Sequence, residues 1–311
     1  MILVVNLNAS VDKRYEMSDL EKGSVMRAAN VENTPGGKGI HVANVVTKLN
    51  EQCIATGFLG GKTGEFIEEK LREYNITQDF VKIQGETREC LAIITDDLVQ
   101  TEILEPGPEI TEEEKDRLIE KYKELLKSCD IVVASGSMPR NISKDFYKTL
   151  IEIAHSYDKK FLLDTSGDSL RFGMEAKPFF IKPNKDEIEA LTGRIVQSDE
   201  DVIKEIKELQ GKGIELVAVS LGSRGAMAGY KGKIYKVTPP KVNAVNPVGS
   251  GDSFVAGIAV AIERGYSIEE VLRYASACGT ANAMEKETGS VQREVVESLL
   301  KDVEVKTIAN F

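Results

Sequence analysis

Short, unbroken apolar runs alternate along this chain with amphipathic stretches, and that alternation restricts the fold more than any other feature of the sequence. Ile2-Leu3-Val4-Val5, Ile131-Val132-Val133-Ala134, Phe161-Leu162-Leu163, Phe179-Phe180-Ile181 and Leu216-Val217-Ala218-Val219 are all of strand length. A strand that is apolar at every position is buried on both faces, whereas a strand with one wet face alternates. Between the runs, helices are expected over 143–157, from Lys185 onward and over about 199–210. Thr111-Glu112-Glu113-Glu114 forms a capping box for another, continued through Leu118, Ile119, Tyr122, Leu125 and Leu126. Continuous strands interleaved with helices predict an α/β fold with a mostly parallel central sheet covered on both sides.

Two stretches break the pattern. Residues 13–34 contain no good helix, and 81–105 read as three short strands: Val81-Lys82-Ile83, Cys90 to Thr95 and Thr101 to Leu104. Both predict a small second sheet inserted into one domain spanning 1–311. In open parallel sheets, ligands bind beyond the carboxyl ends of the strands. The polar turns at 135–137, 164–168, 182–187 and 220–225 should therefore gather on one edge, together with Asn6-Leu7-Asn8-Ala9-Ser10-Val11-Asp12. Asp12 is then either a site residue or an ordinary loop aspartate.

Glycine-rich turns that open helices mark where an anion fits, because free amides and the helix dipole favour negative charge. Gly249-Ser250-Gly251-Asp252 precedes a helix through Phe254, Ile258, Ala261 and Ile262. Pro35-Gly36-Gly37-Lys38-Gly39 precedes one through Val42, Val45, Val46 and Leu49, and Lys38 adds a positive charge. A carboxylate in an anion-attracting turn, as at Asp252, either serves chemistry or is a common first-turn acid. His41, just inside the earlier helix, reads as packed or at the surface. Gly57-Phe58-Leu59-Gly60-Gly61-Lys62-Thr63 imitates a nucleotide-binding P-loop but has three residues between Gly57 and Gly61 where four are required. Arg88, between two of the short strands, could pair with a phosphate or be an exposed strand residue.

Composition excludes several classes. A net charge of −10 without a basic block argues against nucleic acid. Cys53, Cys90, Cys129 and Cys278 are scattered, and with only two histidines a Cys/His metal site is not expected. Free thiols fit a reducing cytoplasm. No apolar run reaches the roughly 18 residues of a membrane span, and the apolar start lacks the features of a signal peptide.

Taken together and in order, Gly36-Gly37-Lys38-Gly39, Lys182-Pro183-Asn184-Lys185-Asp186-Glu187 and Gly249-Ser250-Gly251-Asp252 resemble the three signatures of the ribokinase-like, phosphofructokinase B family of sugar kinases. The forms Gly85-Glu86-Thr87-Arg88, Thr101 to Pro108 and Asn246-Pro247-Val248-Gly249 resemble its hexose-phosphate branch, which contains tagatose-6-phosphate kinases and 1-phosphofructokinases. The resemblance implies a three-layer sandwich with a small β-lid, and roles for individual residues. Asp252 would be the general base, and the amides of Gly249, Ser250 and Gly251 an anion hole. Asp12, Gly37 and Lys38 would bind the sugar, and Arg27, Arg88 and Ser137 its existing phosphate. Lys182, Asn184, Ser220, Gly222, Gly225 and Asn282 would border the nucleotide, and Asn184 and Glu187 would organise Mg²⁺ through water. His41 stands where that branch usually has asparagine, and Asn246 replaces the usual residue before the late motif. The implied activity is ATP-dependent phosphorylation of a ketohexose monophosphate to the 1,6-bisphosphate. Tagatose 6-phosphate is favoured, then fructose 1-phosphate, and the lid is expected to pair two copies. Fructose 6-phosphate, an unphosphorylated sugar or nucleoside, or a non-catalytic sensor are the other readings.

Overall fold

In the computed structural model of the chain, which describes residues 1–97 and 99–311, a large sheet carries the order Thr77–Gln78, Cys53–Leu59, Ile2–Asn6, Ile131–Ser135, Lys160–Asp164, Phe180–Ile181, Leu216–Ser220, Ala226–Tyr230, Lys233–Thr238, Glu304–Asn310. Pairing is parallel as far as Leu216–Ser220 and antiparallel from there to the edge. The expected mostly parallel sheet with helices on both sides is present.

The central strand shows why these sequences become strands. Ile2 and Val4 point into one core, with the helices Lys38–Lys48, Ser250–Glu263 and Ile268–Met284. Leu3 and Val5 point into the other, with Glu112–Leu126, Phe146–Ser156 and Asp199–Gly211. At roughly 2 kcal/mol for each fully buried aliphatic side chain, burial on both faces outweighs any local preference. The capping box at Thr111 forms as expected: Glu114 N donates to Thr111 Oγ1 at 3.2 Å, and Thr111 N donates to Glu114 Oε2 at 2.9 Å.

A four-stranded sheet stands apart, in the order Asn30–Gly36, Ser10–Glu16, Arg88–Ile94, Gln100–Leu104. One boundary of the expected lid changes. Val81–Lys82 pairs with Phe58–Leu59 at the edge of the large sheet, so the small sheet's second portion begins at Arg88. Leu98, within the expected lid range, lies outside the described residues. Along Ser10–Glu16, Ser10, Asp12 and Arg14 share one face by the two-residue period of a strand, and all three line the space between the sheets. No helix among the described residues is long and apolar enough to cross a membrane.

Candidate active site

Between the small sheet and the carboxyl ends of the parallel strands lies a cleft of about 620 Å³. Gly136, Ser137, Thr165, Lys182, Asn184 and Ser220 bring the four polar turns to it, as the strand–helix alternation requires. Its far wall is the start of helix Ser250–Glu263, where Gly249 caps the helix at φ 81°. A side chain there would meet the Gly289 amide at 2.5 Å, so the left-handed turn and the close approach both require glycine.

Asp252 stands in the first turn of that helix, 6% exposed, with Oδ2 2.9 Å from His41 Nδ1. The nearby amides are not equivalent. Ser250 N donates to the Pro247 carbonyl at 3.2 Å, and Ser250 Oγ accepts from Asn282 Nδ2 at 3.3 Å. Ser250 also lies outside the cleft lining. Gly249 and Gly251 face the cleft.

A buried carboxylate organises the floor. Asp164, 2% exposed, accepts from Lys38 Nζ through Oδ2 and pairs with Lys182 Nζ through Oδ1, both at 3.4 Å. Burial pushes Asp164 up, but the two ammonium groups outweigh it and hold the carboxyl below its ordinary range. Asp164 in turn raises the Lys38 ammonium well above the usual lysine value. Lys38 therefore remains a cation, and Lys182 stands beside Gly251, whose missing side chain leaves room for Lys182 Nζ.

On the lid side, Ser10 Oγ donates to Asp12 Oδ1 at 2.7 Å. Arg88 donates from Nε and Nη2 to the Asn8 carbonyl, and from Nη1 to that of Glu105. Asn8 Nδ2 donates to Ser137 Oγ at 3.0 Å, so one short loop ties Arg88 and Ser137 together. With three of its five donors used on backbone, Arg88 keeps two for a ligand.

Several expected residues lie elsewhere. Arg27 is exposed in the connection 17–29 and outside the cleft lining. Asn282 is fully buried and spends its amide inside the protein. It donates to the Val248 carbonyl at 2.8 Å and accepts from Ser290 N at 3.1 Å, so it braces the late turn. Gly222 sits just past Ser220, outside the lining. Gly225 (φ 87°) also lies outside it, and its lack of a side chain serves close packing against the Val237 carbonyl. Asn184 and Glu187 form a reciprocal capping box at the cleft wall, both bonds 2.8 Å, which occupies Asn184 Oδ1 and one oxygen of Glu187. His41, expected to be a packing or surface residue, touches Asp252, a contact that the order of residues along the chain does not disclose.

The pfkB family carbohydrate kinase model matches residues 3–294. The chain belongs to that family. Among solved structures, a Staphylococcus aureus protein provisionally named a phosphofructokinase is 34% identical, with both chains fully covered and a TM-score of 0.85. Escherichia coli phosphofructokinase-2 in complex with fructose-6-phosphate is 26% identical over 97% of this chain and 98% of that one, with a TM-score of 0.89. A Thermotoga maritima protein provisionally named a 1-phosphofructokinase is 26% identical over 99% of each chain, also at 0.89. The ribokinase-like architecture expected from the three sequence signatures is thereby established for the family member described here.

Proposed function

We propose that this family member is an ATP-dependent kinase for a ketohexose monophosphate, producing the 1,6-bisphosphate. The observation that carries the reading is a carboxylate, Asp252, placed at a helix start whose Gly249 and Gly251 face a cleft into which Lys38, Lys182 and Arg88 bring positively charged groups. In this reading Asp252 accepts the proton of the attacking sugar hydroxyl. The hydroxyl oxygen bonds to the γ-phosphorus, the bond from that phosphorus to the bridging oxygen breaks, and ADP leaves. The amides at the late turn and the Lys182 ammonium stabilise charge on the transferring group. Asp12 and Lys38 hold the sugar, while the two spare donors of Arg88 and the Ser137 hydroxyl hold its existing phosphate.

Magnesium belongs to the same reading. No cluster of three or more His, Cys, Asp or Glu among the described residues could hold a metal ion by itself. The capping box leaves one Glu187 oxygen free at the cleft wall. That donor set fits an ion that arrives with the nucleotide and keeps most of its water, as Mg²⁺ does. Bound there, the ion would neutralise phosphate charge.

Tagatose 6-phosphate is the favoured acceptor, followed by fructose 1-phosphate; the relatives named for fructose phosphates support the class of acceptor. Exposed Val31 and Ile103 on the small sheet support pairing of two copies through the lid. Four buried free cysteines accord with a reducing cytoplasm. The test is ADP release with Mg-ATP across tagatose 6-phosphate, fructose 1-phosphate, fructose 6-phosphate and free fructose. A kcat/KM at least tenfold higher for one phosphorylated sugar than for free fructose is expected. Equal use of free fructose, or no turnover with any of them while ATP binds, overturns the reading.

A further inference from the structure

His41 belongs to neither glycine turn, yet it links the two sides of the cleft. Its Nδ1 lies 2.9 Å from Asp252 Oδ2, on the helix of the large sheet, and its Nε2 lies 3.7 Å from Asp12 Oδ2, on the small sheet. The ring is 12% exposed, and the backbone at Gly289 packs directly on its Cβ. It is therefore packed in place beside both carboxylates. Each carboxylate presents a single oxygen to the ring. Asp12 Oδ1 is engaged by Ser10, and Asp252 Oδ1 is left free to meet a substrate hydroxyl.

We propose that His41 is a positioning residue, whose imidazolium bridges Asp12 and Asp252 and holds the base in the orientation that receives the sugar's proton. The inference rests on the reading of Asp252 as that base. An imidazolium has two N–H groups: Nδ1 donates to Asp252, and Nε2–H faces Asp12 at 3.7 Å, a charge contact and not a hydrogen bond. A neutral ring has only one, so its other nitrogen would turn a lone pair toward a carboxylate and the bridge would open on one side.

The charges around the ring favour the bridging form. Burial alone would lower the His41 pKa. The hydrogen bond and charge of Asp252, then the charges of Asp12 and of Glu287 from the loop behind, reverse this and raise it. The facing group on its own helix, Lys38, is neutralised by Asp164. Lys48 lies 3.7 Å from Glu287 and offsets part of that carboxylate. The bridge is complete below the raised pKa and is lost as pH climbs through it. Turnover should therefore fall on the alkaline side for a reason that belongs to His41.

His41 and His155 are the only histidines, so imidazole NMR signals of the free protein can be assigned by one substitution. The expected result is a His41 midpoint above the ordinary histidine value that drops in both Asp252→Asn and Asp12→Asn. A midpoint at or below the ordinary value in the unaltered protein, or one that neither substitution moves, overturns the bridge. In kinetics, His41→Asn keeps a donor but cannot carry charge. It should lower kcat on the order of 10- to 100-fold, the scale of a reacting group held out of line, leave the KM for ATP within about twofold, and remove the alkaline decline. His41→Gln, which reaches farther, should recover part of kcat without restoring that decline. An unaltered kcat and pH profile in His41→Asn, with melting temperature preserved, overturns the inference even if the protein is a kinase. A raised, Asp-dependent midpoint in a protein that turns over no sugar phosphate supports the bridge and overturns the function proposed above.

Discussion

Among the glycine-rich turns that lead into helices, those at Gly249 and Gly60 differ in what has been done with the amides. At Gly249, the helix start faces the cleft, with Asp252 and Lys182 beside it. At Gly60, the helix Gly61–Glu73 begins from an extended cap instead of a left-handed one, and Glu86 has already taken the anion's place. Thr63 N donates to Glu86 Oε1 at 2.8 Å and Thr63 Oγ1 to the same oxygen at 2.6 Å. Lys62, the residue that makes this stretch resemble a P-loop, is 88% exposed and pairs with Glu65. Those bonds hold the Glu86 carboxyl below its ordinary range. The lesson is that glycine spacing gives the backbone its turn, while a nearby carboxylate decides whether the turn remains available to a ligand.

The strongest way to break this comparison is Asp252→Asn. It should reduce kcat by about 10²- to 10⁴-fold, the range of a lost general base, with ATP affinity measured by calorimetry nearly unchanged; retained turnover would leave the late turn no more catalytic than the early one. Next in size is Asp164→Asn, which leaves the buried Lys182 without its counter-charge and should cost about 3 kcal/mol of stability, read by denaturant unfolding. The sign with pH follows from the depressed pKa of Asp164. Its stabilisation is present above the unfolded value near 4 and is lost as pH falls through the folded one, so the variant should unfold with a flatter acid limb. Arg88→Ala should raise the KM for the sugar phosphate about tenfold, corresponding to roughly 1.4 kcal/mol, with little change in kcat. An unchanged KM would assign Arg88 wholly to the Asn8 and Glu105 carbonyls. The smallest effect is expected at the decoy. Lys62→Ala should leave kcat/KM within about twofold, the scatter of an exposed pair worth under 1 kcal/mol, and a large loss would erase the distinction between the turns.

Features set by local pattern were legible in the sequence. Two-sided burial reads directly as Ile2-Leu3-Val4-Val5, and the capping box at Thr111 reads from four consecutive residues. The gathering of the turns at 135–137, 164–168, 182–187 and 220–225 followed from parallel pairing. Features that depend on meetings across the fold were hidden. His41 looks like any early helix residue until Asp12 and Asp252 are brought to it. Asp164 reads as a turn aspartate until two lysines from different elements close on it. Asn282 drew attention through the family resemblance, but a resemblance does not say which way an amide is committed, and its partners here are internal. Arg27 sits exposed on the connection 17–29, outside the lining of the cleft in a single chain.

The parallel pairing of the central strand has a consequence for how the protein comes into being. Ile2–Asn6 finds its neighbours in Cys53–Leu59 and Ile131–Ser135, and the helix bearing Asp252 arrives far later in the chain. Such pairings close large loops before they are rewarded, which makes folding slow compared with local hairpins. The cleft therefore has no early fragment that works in miniature. A nascent or truncated chain displays Lys38 and His41 long before it owns Asp164 and Asp252, the carboxylates that meet them, so competence should emerge abruptly, as a property of the finished chain.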